Sequence, residues 1–378
     1  MNLYFDNAAT SWPKAPGVSE AMADNIQTLM GSPGRSFNPF QHKLLFDLRE
    51  SMAKLIKAED SSRIVFGLNA TQMINVGLQG ILESGDHVLT TSMEHNAVAR
   101  PLRYLEKSRG VVIDIIRSSS DGFADIDGIS QAFTSKTKLV VINHSSNVTG
   151  AINDLSPIGQ LAKEHDALFM VDCAQTVGLI EIDVDRDRID MLAGSGHKGL
   201  LGPAGIGFLY ISSGCMPNPL IFGGTGTHSD DDEQPETVPD RFESGTQNLP
   251  GMAGLQAALK YIDQRGLPSI QTHKNHLNKR MLDGLKTLPG IHLYGPQAAE
   301  SRTMTFSVTC QGKDIAALAN DLAYEHRIVT RAGLHCAPWA HKTIGSFPEG
   351  TLRISPGIFH EDSDIDAMLT ALDQTVRK

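Results

Sequence analysis

The sequence predicts an α/β protein, in which a large domain with a mostly parallel sheet precedes a smaller α+β domain. Between residues 63 and 211, short β-rich runs alternate with helical stretches. Several of these runs are almost continuously apolar, as expected of strands that are covered on both faces. Beyond Pro250 the regular alternation stops, and helices and short strands follow in mixed order.

The elements can be placed along the chain in order. Strands are predicted at 63–67, 87–91, 111–116, 138–143, 167–172, 190–194 and 205–211, with helices at 71–82, 97–107, 126–133 and 157–165. The last two of these strands have a short connection, whereas a parallel crossover needs roughly a dozen residues or more, so we expect them to be antiparallel. After Pro250, helices are predicted at 252–264, 269–287, 313–326 and from 362, and strands near 291–294, 303–309, 328–331 and 351–355.

The length of 378 residues is enough for two or three domains of about 100–200 residues each. We expect residues 15–250 to form the large domain and residues 251–378 the small one. Residues 1–14 should form an N-terminal segment that packs near the small domain or across the cleft.

Composition excludes several classes of protein. The net charge of −10 argues against a nucleic-acid partner, and the acidic run at 229–236 is typical of a solvated loop. The four cysteines lack paired spacing, which argues against a disulfide framework and favours a reducing compartment. No signal-peptide pattern is present, and no apolar run approaches the ~20 residues of a membrane span. We therefore expect a cytoplasmic protein.

Two residues that follow predicted strands suggest carbonyl chemistry. Lys198 lies in the glycine-rich loop 194–199, and a desolvated lysine has a lowered pKa and can form imines. In isolation, a surface lysine would be the commoner interpretation. Asp172 ends the run ALFMVD, where a buried carboxylate needs a partner. A salt-bridged aspartate is one possibility, and a protonated pyridine nitrogen that Asp172 keeps cationic is another.

Further candidates cluster at other strand ends. Ala70 and Thr71 open a helix whose N-terminus could bind an anion, although Thr71 could equally be an ordinary cap. His95 could be catalytic or a structural hydrogen-bonding residue. Cys336, close to Arg331, is a candidate nucleophile, with a buried inert thiol or a metal site with His335 and His341 as alternatives.

Arg353 lies within an apolar strand pattern, where a guanidinium needs an anion. It could bind a carboxylate ligand or form an intramolecular salt bridge. The other three cysteines, Cys173, Cys215 and Cys310, have no comparable surroundings and are interpreted as inert.

In combination, these motifs resemble the class V aminotransferase family, in particular its cysteine desulfurase and selenocysteine lyase branch. The similarity runs from YFDNAAT at 4–10 to Arg353 and is most specific in VDCAQ at 171–175, SGHKGLLGPAGIG at 195–207 and RAGLHCAP at 331–338. It implies a fold-type I enzyme that uses pyridoxal phosphate (PLP) and works as a homodimer with its active sites at the subunit interface.

The resemblance also implies roles for individual residues. Lys198 matches the Schiff-base lysine and Cys336 the persulfide-forming cysteine of the second of the two desulfurase groups. The remaining matches are residues that bind the cofactor or the substrate: Asp172 at the pyridine nitrogen, Gln175 at the ring hydroxyl, His95 stacked on the ring, Thr71, Ser195 and His197 at the phosphate, Thr246 at the phosphate of the other subunit, and Ala9, Asn147 and Arg353 at the substrate.

Two positions depart from the family pattern. The phosphate loop reads Asn69-Ala70-Thr71-Gln72, where relatives often have two threonines and an acid. Leu334 stands where many members have a second histidine, which leaves the local pKa of Cys336 open.

The resemblance implies conversion of L-cysteine to L-alanine, with sulfur passed through Cys336 to an acceptor protein or a small thiol. Lys198 would act as general base and Arg353 would orient the substrate carboxylate. The alternatives are a selenocysteine lyase, with L-selenocysteine as substrate, or another PLP-dependent lyase or aminotransferase on the same scaffold. A non-enzymatic scaffold for a sulfur-transfer partner is a further alternative.

Overall fold

The fold is described from a computed structural model that covers residues 3–28, 39–227 and 230–378. The strands in this part of the chain are β1 (Leu3–Tyr4), β2 (Ile64–Gly67), β3 (His87–Thr91), β4 (Val112–Ile116), β5 (Thr137–Asn143), β6 (Leu168–Asp172), β7 (Met191–Ser195), β8 (Gly207–Ile211), β9 (Ile291–Tyr294), β10 (Phe306–Cys310), β11 (Ile328–Val329), β12 (Arg331–Gly333) and β13 (Thr351–Ile354).

The helices in the same part are α1 (Val18–Gln27), α2 (Pro39–Ile56), α3 (Ala70–Ile81), α4 (Asn96–Arg109), α5 (Ile126–Ala132), α6 (Leu155–Glu164), α7 (Leu249–Arg265), α8 (Leu267–Leu285), α9 (Ile315–Glu325), α10 (Pro338–Ile344) and α11 (Asp362–Arg377). No helix in these ranges is long and apolar enough to cross a membrane.

A seven-stranded sheet in the order β2-β8-β7-β6-β5-β3-β4 forms the centre of the molecule. Its strands β3 to β7 run parallel, and β8 is antiparallel to both β7 and β2. The predicted α/β fold class is thus confirmed, as is the antiparallel pairing of the last two strands. Successive residues of β5 enter opposite cores, with Val140 and Ile142 on one face and Leu139 and Val141 on the other. This explains why the strand sequences are apolar throughout.

A second, four-stranded antiparallel sheet has the order β12-β13-β10-β9. Helix α11 packs against α8 and α9 beside this sheet. The single strand predicted near 328–331 is in fact two strands, because β11 pairs with β1 whereas β12 pairs with β13. This change of partner puts Arg331 beside Arg353 in the ladder.

The N-terminal segment connects the two sheets. Ser355, just after β13, donates a backbone hydrogen bond of 2.6 Å to the carbonyl of Phe5, and Ser11 donates one of 2.9 Å to the carbonyl of His197. A few residues therefore link the strand that contains Arg353 to the loop that contains Lys198. The division into domains at residues 14 and 250 stays a prediction.

Helices α1, α2 and α10 were not predicted. Helix α2 buries polar Gln41 and Arg49 along with Leu48 and Met52, so its inward face does not read as an apolar stripe. Both α1 and α2 pack on α7, a helix that lies about 200 residues further along the chain. Their stability comes from this distant partner, which explains why local sequence patterns failed to reveal them.

Candidate active site

A cavity of about 230 Å³ lies at the carboxyl ends of the parallel strands. Strands β5, β6 and β7 end there with Asn143, Asp172 and Ser195, and Asn143 is paired in register with Asp172. The ends of parallel strands are where open α/β sheets bind ligands. Every site residue predicted from the sequence lines this cavity except Thr246; those that do are Ala9, Thr71, His95, Asn147, Asp172, Gln175, Ser195, His197, Lys198, Cys336 and Arg353.

Lys198 reaches the cavity from the loop after β7. Burial of its amine lowers its pKa from the usual 10.5, and the carboxylate of Asp172 partly offsets that effect. Within the described residues, the Lys198 amine makes no hydrogen bond to protein. Burial therefore favours the neutral form of this amine, which has capacity for a ligand.

The backbone of the Lys198 loop is tightly fixed. The carbonyl of His197 accepts hydrogen bonds from the Ser11 backbone, the Ser11 and Thr10 hydroxyls and the Lys14 ammonium, at 2.9 to 3.2 Å. A Cβ on Gly199 would lie 2.4 Å from the carbonyl oxygen of Val177, so this glycine allows close packing of protein against protein.

Asp172 is buried at the end of β6. Its Oδ1 accepts a 2.9 Å hydrogen bond from the Ala174 backbone, and burial raises the pKa of the carboxyl group. Because a cation nearby favours the charged form, a cationic ligand in the cavity would lower the pKa of Asp172 again and stabilise its carboxylate. Gln175 instead donates a 3.0 Å hydrogen bond to the carbonyl of Ala8, which links the cavity wall to the N-terminal segment.

His95 is the N-cap residue of α4. Its Nδ1 accepts a hydrogen bond of 3.0 Å from the Ala97 backbone, so the ring proton resides on Nε2. Burial, with Lys198 as the largest electrostatic cause, lowers the pKa of His95 to about 4. The half-buried imidazole is consequently neutral at pH 7, and the cap fixes its orientation.

The opposite end of the cavity suits an anion. Asn69, and not Thr71, caps α3, since its side chain accepts a 2.9 Å hydrogen bond from the Gln72 backbone. The Ala70 backbone N–H donates to the Ser195 hydroxyl at 3.3 Å, and the Thr71 side chain is exposed. A helix N-terminus with two hydroxyl groups is a suitable site for a phosphate. Nearby, burial lowers the pKa of His197 to about 4.

Cys336 is the one exposed cysteine of the described chain. Both His335 and Cys336 have left-handed backbone conformations, with φ of 49° and 58°. Such conformations persist only where surrounding contacts impose them. Here Asn147 donates a 2.8 Å hydrogen bond to the His335 carbonyl, and the Asn96 backbone donates one of 2.8 Å to the Cys336 carbonyl. The loop therefore holds the thiol in one place.

Arg331 approaches this thiol, whereas the neighbouring His335 does not. Arg331 Nη2 lies 3.9 Å from Cys336 Sγ, which gives a thiolate an electrostatic partner. His335 is turned away, because its Nε2 contacts the carbonyl and hydroxyl of Thr351 at 3.1 and 3.2 Å. Burial lowers the pKa of His335 to about 2, so it stays neutral. The described residues contain no group of three or more potential ligands that could hold a metal ion.

Arg353 is buried in β13 and forms the intramolecular salt bridge that the sequence left open. Its Nη2 lies 2.6 Å from Asp6 Oδ1, and Nη1 donates to the Asn147 carbonyl at 3.2 Å. The Nε atom is buried without a hydrogen-bond partner among the described residues. Arg353 therefore uses two of its five N–H donors on Asp6 and Asn147 and lines the cavity with a guanidinium that can still donate to a further anion.

Sequence reasoning missed Glu94 and Asn143. Glu94 is fully buried, and its Oε1 accepts hydrogen bonds from the Thr91 hydroxyl at 2.6 Å and from Asn143 at 3.1 Å. Burial raises the pKa of Glu94 to about 8. The hydrogen bonds between Glu94 and Asn143 therefore fix the segment just before His95 to the end of β5. Asn143 ends the run KLVVIN just as Asp172 ends ALFMVD, and that parallel was the available signal.

Thr246 lies apart from the cavity, exposed on the loop before α7. It lines a different cavity of about 300 Å³ together with Leu68 and Ile221. The subunit's own site is thus formed without Thr246.

Fold and site together define an α/β protein with a lysine, a carboxylate and an anion-binding helix terminus around one cavity. The aminotransferase class-V family model matches residues 3–368, and the chain belongs to that family. A probable cysteine desulfurase from Pyrococcus abyssi is 33% identical, over 99% of this chain and 94% of the relative.

Solved structures are similar over the same extent. An apo cysteine desulfurase from Thermococcus onnurineus superimposes with a TM-score of 0.91 at 31% identity, covering 100% of this chain and 95% of the other. A cysteine desulfurase from Escherichia coli gives 0.90 at 28% identity, with coverage of 100% and 95%. The family prediction made from the sequence motifs is confirmed.

Proposed function

We propose that this chain is a PLP-dependent cysteine desulfurase, which converts L-cysteine to L-alanine and retains the sulfur as a persulfide on Cys336. The observation that carries the proposal is the position of an exposed thiol at the rim of the cavity that Lys198 and Asp172 line. The relatives named cysteine desulfurase support the choice of substrate.

The residues present fit the cofactor. Lys198 offers an amine without a hydrogen bond to protein, and Asp172 offers a carboxylate that can pair with a cationic ring nitrogen. Ser195, Thr71 and the N-terminus of α3 would hold the phosphate. When bound, PLP supplies an electron sink for negative charge at the substrate Cα.

The protein residues then bind the substrate and move its proton. Arg353, whose guanidinium lines the cavity and keeps N–H donors without a protein partner, would bind the carboxylate of L-cysteine, and Asp6 keeps the guanidinium in place. The lowered pKa of Lys198 increases its neutral fraction at pH 7, so its amine can accept the Cα proton.

Cys336 carries out the sulfur transfer. Its thiolate, beside Arg331, attacks the substrate Sγ; a new S–S bond forms as the substrate Cβ–S bond breaks. In sum, L-cysteine and the Cys336 thiol give L-alanine and the Cys336 persulfide. The exposure of Cys336 leaves the outer sulfur accessible to an acceptor protein or a small thiol.

A homodimer follows from the position of Thr246, if its predicted role at the phosphate is correct. Thr246 cannot serve its own cavity, and Leu68 and Ile221 beside it are 60% and 52% exposed. Apolar side chains exposed around a predicted ligand residue are expected where a second subunit covers them.

The role of Cys336 is tested with Cys336→Ser. We expect the variant to keep the absorbance of lysine-bound PLP but to lose release of sulfide and alanine from L-cysteine. Cys310→Ser, on the remote strand β10, is the matched control and should keep full activity. Full activity of the Cys336→Ser variant would eliminate the persulfide role and favour a lyase that does not use this thiol.

The cofactor assignment is tested with Lys198→Ala. This variant should lose the absorbance band of lysine-bound PLP, and an unchanged band would refute the assignment of Lys198. Assays of L-cysteine and L-selenocysteine with the Cys336→Ser protein separate the alternatives, because a selenocysteine lyase would still release alanine from the selenium substrate.

A further inference from the structure

A buried ion pair lies at the open edge of the central sheet. Strand β2 is an edge strand that pairs only with β8, so its other side has free backbone groups. Arg49 of α2 donates to the carbonyl of Ile64, and Glu243 accepts a 2.8 Å hydrogen bond from the Phe66 backbone. Side chains thus take the place of a neighbouring strand.

The two side chains also hold each other. Arg49 Nη1 and Nη2 contact the two carboxylate oxygens of Glu243 at 2.9 and 2.6 Å, a bidentate geometry. Their side chains are only 10% and 8% exposed. The Arg49 guanidinium also lies 5.2 Å from the ring centroid of Phe66. Neither Arg49 nor Glu243 lines the 230 Å³ cavity, so the proposed reaction gives this ion pair no direct role.

The loop that Glu243 begins is stiffened at several points. The Gln247 side chain donates to the Glu243 carbonyl at 2.9 Å, and the Gly245 backbone donates to the Gly224 carbonyl at 2.9 Å. Asn248 closes the loop as the N-cap of α7 and donates to the Gly205 carbonyl at 2.9 Å. Thr246 is exposed on this fixed loop.

We propose that Arg49 and Glu243 are positioning residues that hold Thr246 in place for the cofactor phosphate of the partner subunit. The inference rests on the proposed function and on its homodimer. A hydroxyl that must meet a phosphate across an interface needs a rigid support, because misplacement by about 1 Å has large effects. The ion pair supplies that support by fixing the base of the loop to the sheet.

The test variant is the double substitution R49M/E243L. Removing a single member would leave an unpaired buried charge and could unfold the protein, whereas an apolar pair of similar volume usually preserves the fold. R280M/D366N is the matched control, since Arg280 and Asp366 also form a bidentate pair, at 2.7 and 2.6 Å, but on exposed helices far along the chain. Thermal unfolding checks that each variant is folded.

Mixed dimers locate the effect. Differently tagged subunits are assembled so that only one has an intact Lys198, and PLP affinity is titrated through the absorbance of lysine-bound cofactor. In the facing arrangement, R49M/E243L is on the Lys198→Ala subunit; in the same-subunit arrangement, it is on the subunit with Lys198. A general structural defect would be equal in both.

We expect PLP affinity to fall about tenfold in the facing arrangement, the size expected for loss of a hydrogen bond to a charged group. The same-subunit arrangement should stay within about twofold of the mixed dimer without R49M/E243L. Equal affinities in the two arrangements, or weakening only in the same-subunit one, would overturn the proposal.

A Thr246→Ala substitution separates failure of the inference from failure of the proposed function. If it weakens PLP binding in the facing arrangement while R49M/E243L does not, only the role of Arg49 and Glu243 is wrong. If Thr246→Ala has no effect there, or if the subunits do not dimerise, the phosphate contact between subunits is wrong and the inference fails with it.

Discussion

His95 combines two functions in one side chain. Its Nδ1 caps helix α4, and its ring lines the candidate PLP site. The cap determines which nitrogen carries the proton, and burial keeps the ring neutral. An isolated histidine in a sequence invites a choice between a structural and a catalytic role, and here one geometry provides the helix cap and is compatible with the role proposed at the cofactor.

Replacing His95 separates the two functions. His95→Asn should retain the helix cap, since asparagine is a good N-cap, whereas His95→Ala should lose it and lower the free energy of unfolding by about 1 kcal/mol relative to His95→Asn. Both variants should lose most alanine release. The measurements are chemical denaturation and product assays; equal stability of the two variants would contradict the role of the cap.

At the scale of elements, the connection from β12 to α10 decides where the nucleophile sits. Its two consecutive left-handed residues cost roughly 1–2 kcal/mol each, so long-range contacts must hold them. Asn147 provides one such contact through the His335 carbonyl, in addition to its predicted role at the substrate. This loop is short, and its shape depends on partners that are distant in sequence.

Asn147→Ala should loosen that loop. We expect faster backbone hydrogen exchange across residues 334–337 and slower persulfide formation, because the hydrogen bond from Asn147 to the His335 carbonyl is lost. Exchange in β9, which lies at the opposite edge of the small sheet from β12, serves as the internal control and should not change. Unaltered exchange in the loop would mean that Asn147 does not support it.

On the scale of the whole molecule, many buried histidines make the stability depend on pH. His144 is an example outside the cavity: burial lowers its pKa from 6.5 to about 4, more than Asp187 raises it. Between these values the unfolded chain binds a proton that the folded chain does not. Stability therefore rises with pH from about 4 to 6.5 and falls on acidification.

Replacing His144 tests this dependence. The loss of unfolding free energy between pH 7 and pH 5 should be smaller by roughly 2 kcal/mol in His144→Asn than in the parent protein. Denaturation with urea at both pH values provides the measurement. His292→Asn, at an exposed position of β9, is the control and should keep the parent's dependence. If His144→Asn loses as much unfolding free energy between pH 7 and pH 5 as the parent protein does, groups other than His144 control the acid response.

The strands of the central sheet could be predicted from local pattern, because a strand covered on both faces must be apolar whatever its neighbours are. Lys198, Asp172 and Cys336 were each ambiguous in isolation, and they could be found because their order and combination along the chain resemble the motifs of one family. The missed helices α1 and α2 both pack on α7, and the inward face of α2 includes the buried polar residues Gln41 and Arg49.

The sequence by itself determined the fold class, the family and a set of candidate site residues that, except for Thr246, all line the cavity. Only the tertiary structure decided how they are held: Asp6 on Arg353, Asn147 on the Cys336 loop, and Arg49 on Glu243. Each of these contacts joins residues far apart in the chain. Such pairs leave no periodic trace in the sequence, because either partner alone is an ordinary polar residue until the fold buries both together.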